Sequence, residues 1–162
     1  MSTMSIVLKS SDVSRETRSE VLAELVNHEA RNIRNAVGRN KATPVSALRV
    51  LAADSSDSDR AHVHIARRSD LPADIYSTLA TSSTDQARLE VAKNTNTPAA
   101  VLEGLRMDAD KGVSMWADAN LTMSRNAYAK LVKDCNEIQS EKRGMWLDGF
   151  FRNFAERNGL AA

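Results

Sequence analysis

A single cysteine, Cys135, stands in the whole chain, so no internal disulfide can form. The six glycines are scattered and build no phosphate-cradling loop, and no nucleophile elbow, HExxH pair or CxxC pair occurs. Charge of one sign is also missing. Lys and Arg number 22 against 21 Asp and Glu, and the net +1 provides no global pull toward nucleic acid or an anionic membrane. No apolar run approaches the roughly 20 residues that cross a bilayer. The opening MSTMSIVLKSSDVSRETR has no apolar stretch long enough for a signal peptide, so a reducing cytoplasm is the expected location, with no membrane partner. Aromatics are scarce too, and of the two Trp, two Tyr and three Phe only Tyr76 lies outside the last third.

What is present fits an ordinary globular protein. Hydrophobic residues make up 42% and charged residues 27% of 162 positions, enough for a single domain over residues 1–162 that buries about two thirds of its unfolded surface. The informative feature is self-similarity. VGRNKATPVSALRVL at Val37 to Leu51 returns as VAKNTNTPAAVLEGL at Val91 to Leu105, and more loosely as IARRSDLPADIYSTL from Ile65. Anchored on the residue before VSAL or AAVL, equivalent positions are Ser14, Pro44, Pro72, Pro98 and Ser124, spaced by 30, 28, 26 and 26 residues. Three, four and seven residues after the later anchors come Ala47, Ile75, Val101 and Ala127, then Leu48, Tyr76, Leu102 and Tyr128, then Leu51, Leu79, Leu105 and Leu131. Those offsets trace one face of a helix. Before the anchors a second pair recurs, Ile33, Ala61, Ala87 and Val113 followed by Val37, Ile65, Val91 and Ala117, so each repeat is predicted to hold two short helices.

Punctuation supports that division. In Thr43-Pro44 and Thr97-Pro98, threonine is expected to cap a helix start and proline to occupy its first position. Asn40, Asn94 and Asn120, four residues before their anchors, are expected to end the preceding helix in a left-handed turn, with Arg68 departing from that column. ADSSDSDR, TSSTDQ and RMDADK place Ser, Thr and Asp where the first helix of a repeat begins.

These phrases resemble the leucine-rich repeat variant family over residues 30 to 132, and more loosely over 5 to 27. The resemblance implies a right-handed α-solenoid without strands, and the short period separates it from HEAT-like and armadillo units of about 40–47 residues. The expected fold is therefore all-α: about five two-helix repeats of period about 26 over residues 5–132, with a C-terminal capping helix over 133–162. Members of the family that carry an iron–sulfur cluster have a cysteine group before the repeats. Here only Cys135 exists, near the other end, so that chemistry does not carry over and no cofactor is expected.

In a repeat array the same offset lands on the same face. Five residues before the anchors stand Lys9, Arg39, Arg67 and Lys93, and ten before stand Arg34, His62 and Arg88. Evenly spaced cations could track phosphates or an acidic protein surface. The favoured reading is structural, the first set complementing helix C-termini and the second lying three residues after Asp59 or Asp85, within ion-pair reach. His62 and His64 point about 200° apart round a helix and cannot share a metal, so with His28 they read as surface or half-buried residues. DSSDSD at Asp54 to Asp59 lacks the glycine and glutamate of a calcium loop and reads as a capping turn. Cys135 has no nearby histidine to make it a nucleophile.

Toward the end, Trp146, Phe150, Phe151 and Phe154 form an aromatic stripe. It reads as the cover of the last repeat, or as a surface for a partner or a second copy of the chain. The sum is a non-enzymatic, macromolecule-binding protein, foremost an adaptor or inhibitor of another protein, with nucleic-acid binding along the basic ladder as the alternative.

Overall fold

The computed structural model describes residues 9–55 and 60–141, with side chains through Cys135. Among the described residues there are ten α-helices and no strand. The first five are α1 (Ser10–Arg15), α2 (Ser19–Glu24), α3 (Arg31–Arg39), α4 (Val45–Ala53) and α5 (Ala61–Ala66), with a 3-10 turn at Leu25–Asn27 after α2. Then follow α6 (Ala73–Leu79), α7 (Asp85–Lys93), α8 (Ala99–Leu105), α9 (Lys111–Thr122) and α10 (Arg125–Glu141). Odd helices pack in a row, α1 on α3, α3 on α5, α5 on α7 and α7 on α9, while α2, α4 and α6 make a second row. Contacts such as α3 with α4, α5 with α6 and α7 with α8 join the rows.

The apolar columns form the core between these rows. Ile33, Ala61, Ala87 and Val113, and with them Val37, Ile65, Val91 and Ala117, are all buried. From the even side Leu48, Tyr76, Leu102 and Tyr128 meet them, each followed three residues on by buried Leu51, Leu79, Leu105 or Leu131. Burying each large side chain contributes about 1.5–3 kcal/mol, which short helices of six to nine residues need, because helices that short do not persist alone in water. The column at offset three weakens along the chain: Ala47 and Ile75 are buried, Val101 is partly buried and Ala127 is exposed. Gly38, Ala66 and Ala92 keep the odd row tight; a Cβ on Gly38 would stand only 3.4 Å from the Ala61 carbonyl oxygen.

Five expectations need correction. Ser14 is not equivalent to the prolines, since it lies inside α1; the second helix of the first pair begins after Arg18, 26 residues before Pro44. Leu22 and Leu25 then fall into the columns of Leu48 and Leu51. The prolines stand one position earlier than expected: Pro44, Pro72 and Pro98 are extended N-cap residues, not first-turn ones. Thr43 and Thr97 do not cap the helices that follow. Their buried hydroxyls donate 2.6 Å bonds to the Val37 and Val91 carbonyls, closing the helix before.

The asparagines likewise avoid left-handed backbone. Asn40 and Asn94 are extended, at φ −73° and −75°, and Asn120 lies within α9. From extended backbone in Asn40 and Asn94 and from helical backbone in Asn120, each side-chain amide reaches the preceding odd helix. Asn40 Nδ2 donates to the carbonyls of Val13 and Glu16, Asn94 to those of Ala66 and Arg68, and Asn120 to those of Ala92 and Asn94. These carbonyls lie at or just beyond a helix end, where helical partners run out. Arg68, in the asparagine column, keeps the relay continuous by donating from Nη1 to the Asn40 carbonyl at 2.8 Å. Finally, α10 runs unbroken through residues 132 and 133, where the repeats were expected to give way to a capping helix. The aromatic stripe of Trp146, Phe150, Phe151 and Phe154 lies outside the described residues.

Candidate functional site

Ten residues before the anchors, the ladder turns inward. Arg88 donates from Nε and Nη2 to the two oxygens of Asp108, at 2.7 and 3.1 Å, and from Nη1 to the Ser82 carbonyl at 2.8 Å. It pairs with Asp108 across the α7–α9 connection rather than with Asp85 three residues away, because Asp85 opens the helix on its exposed side. Burial works against ionisation of Asp108, but Arg88 and the Asp110 N–H outweigh it and hold the carboxyl below its usual range. Arg34 repeats the arrangement more loosely, donating to the carbonyls of His28 and Glu29 with Asp54 3.9 Å away.

His62 is the substitution in this column. It is buried, not surface or half-buried as expected, with Nδ1 3.0 Å from Ser82 Oγ and Nε2 3.0 Å from the Leu51 carbonyl. A carbonyl only accepts, so Nε2 carries a proton, and in the neutral ring Nδ1 then accepts from the serine hydroxyl. Ser82 occupies the place of Asp54 and Asp108, and Ser82 Oγ and Asp108 Oδ1 each accept the N–H two residues on. Where arginine becomes histidine, aspartate becomes serine, and both partners stay satisfied.

The ladder five residues before the anchors stays at the surface. Lys9 is the N-cap of α1, its backbone N–H on the Asp12 carboxylate, and so leaves the column. Arg15, the last residue of α1 and exposed, takes the place that Arg39 and Lys93 hold at the ends of α3 and α7. Cations there complement the helix dipoles. Arg39 is exposed, with Nη2 3.3 Å from Ser14 Oγ. Arg67, just past α5, donates to Glu90 at 2.8 Å. The Lys93 ammonium sits 5.1 Å over the ring of Trp116, which meets Tyr128 edge-on.

One cation that the ladder omitted, Arg60, and the neighbouring His64 complete a patch. Arg60, the exposed N-cap of α5, lies one turn before His64 and two before Arg67, so all three share a face of α5 next to Arg39 on α3. His64 is half-buried among them; burial first, then Arg39, Arg67 and Arg60, push its pKa below the ordinary histidine value. Among the described residues no group of three or more His, Cys, Asp or Glu could hold a metal ion. Cys135 is buried and its thiol is pushed up to about 11, chiefly by burial. No helix among the described residues is long and apolar enough to cross a membrane.

No family model matches the chain, and neither curated proteins nor solved structures match it.

Proposed function

We propose that the chain is a non-enzymatic binding protein, a small cytoplasmic adaptor or inhibitor that recognises another protein. In this reading the helix pairs are five units of a right-handed α-solenoid of the leucine-rich repeat variant kind, ending in a capping segment. Its support is the 26- or 28-residue step at which Arg68, Asn94 and Asn120 reach back to the helix end before their own, and the side-by-side packing of successive odd helices. Packed in that way, equivalent exposed positions merge into one extended surface, which suits contact with a macromolecule more than enclosure of a small one.

The observation that carries protein over nucleic acid is how the ladder cations are used. Arg34, His62 and Arg88 are engaged internally, Arg67 is bridged to Glu90, and Lys93 covers Trp116. What stays outward is a short basic patch beside acidic Glu90, a mixed surface of the sort proteins present to each other. Capture from native lysate, with and without nuclease, tests this reading. A stoichiometric protein retained after nuclease is the expected result; recovery of nucleic acid, with proteins lost on digestion, contradicts it.

A further inference from the structure

We propose that the patch at Arg39, Arg60 and Arg67, extending to Arg15, docks an extended acidic segment of a protein partner. The inference rests on the protein-binding reading and narrows it to one chemistry and one face. The cations come from three neighbouring odd helices, α1, α3 and α5, and α5 alone presents Arg60, His64 and Arg67 on one side. Like charges gathered in this way repel one another in the free protein, and an incoming carboxylate relieves that repulsion.

The patch has a defined end. Beyond Arg67 the Glu90 carboxylate takes one guanidinium bond and Lys93 is withdrawn onto Trp116, so the basic run stops at α5. Three helices spaced by about 8–10 Å span roughly 20 Å, the reach of about six extended residues at ~3.3 Å each. A nucleic-acid strand is a poorer fit. Single strands are held by aromatic platforms interleaved with cations, and the described aromatics, Tyr76, Trp116 and Tyr128, are all buried.

The test is fluorescence anisotropy with a labelled deca-glutamate peptide, a deca-lysine control and a ten-nucleotide oligothymidylate, each at low and moderate salt. The acidic peptide should bind, weaken as salt rises, and lose about tenfold in affinity on Arg39→Gln with Arg60→Gln. Both side chains are exposed, so the double variant should keep its circular dichroism spectrum, and Arg39→Lys with Arg60→Lys should retain binding. Equal binding by the glutamine variant, or tighter binding of the oligonucleotide than of the peptide, overturns the proposal. So does failure of the peptide to bind at all, whereas the adaptor reading fails only if lysate capture yields no nuclease-resistant protein.

Discussion

Asn94→Ala probes how neighbouring helix pairs are held in register. The amide donates to the Ala66 and Arg68 carbonyls, both at 2.7 Å, and Oδ1 accepts the Asn96 N–H at 3.0 Å. Alanine removes all three bonds, but their losses differ. The Arg68 carbonyl keeps the Tyr76 hydroxyl at 3.1 Å, and the Asn96 N–H lies at an exposed turn open to water. The Ala66 carbonyl, at the buried end of α5, loses its side-chain donor. One buried acceptor left short of a donor costs about 1–3 kcal/mol and each of the two remaining bonds about 0.5–1 kcal/mol, so we expect destabilisation of about 2–5 kcal/mol. Urea denaturation followed by circular dichroism should show a lower midpoint at unchanged slope. Asn94→Asp should cost at least as much at pH 7, since its carboxylate would face two carbonyls. Its folded pKa would be raised, so the penalty shrinks as pH falls through it. A cost for Asn94→Ala below about 0.5 kcal/mol, indistinguishable from Asn96→Ala at the exposed turn, would refute the reasoning.

Three further outcomes are expected. His62→Arg alone buries a guanidinium without a carboxylate, whereas His62→Arg with Ser82→Asp rebuilds the pairing of Arg88 with Asp108; a double-mutant cycle should give a favourable coupling of about 1–3 kcal/mol, and additivity would count against the column. His64, held low by burial and three arginines, binds fewer protons folded than unfolded, so its contribution to stability falls as pH drops from 6.5 toward its folded pKa. Arg39→Gln should raise the His64 pKa in an NMR titration, and an unchanged value would place Arg39 too far away to matter. The Cys135 thiol, pushed up to about 11 and buried, should react with iodoacetamide at pH 7 only as fast as the chain unfolds; rapid labelling of the native protein would contradict its burial.

The apolar framework was readable because periodicity is a local signal. Every residue in the two columns before the anchors and in those at offsets four and seven after the later anchors is buried. The first pair carries no Thr-Pro to mark its second helix, and in residue type Ser14 is closer to Ser124 than Arg18 is to Pro44. Leu22 and Leu25, in step with Leu48 and Leu51, were the available clue. The asparagine and threonine columns are visible in the sequence but their bonds are not, since propensity describes a residue's own turn, whereas these threonines bond the helix before and these asparagines bond the neighbouring pair. The inward pairing was harder still. Its two complete examples, Arg88 with Asp108 and His62 with Ser82, are each 20 residues apart, a spacing that becomes a contact only once α5 and α7 pack on the next pair. Arg60 and His64 belong to no column, and their patch exists through the position of Arg39 on the neighbouring helix.

The most direct test of the account compares nuclease-treated lysate captured on the wild-type chain and on the Arg39→Gln, Arg60→Gln variant. The account predicts a protein retained stoichiometrically by the wild type and lost from the variant, with an acidic stretch in its sequence. A ligand that disappears with nuclease, or a protein held equally by both chains, would contradict it.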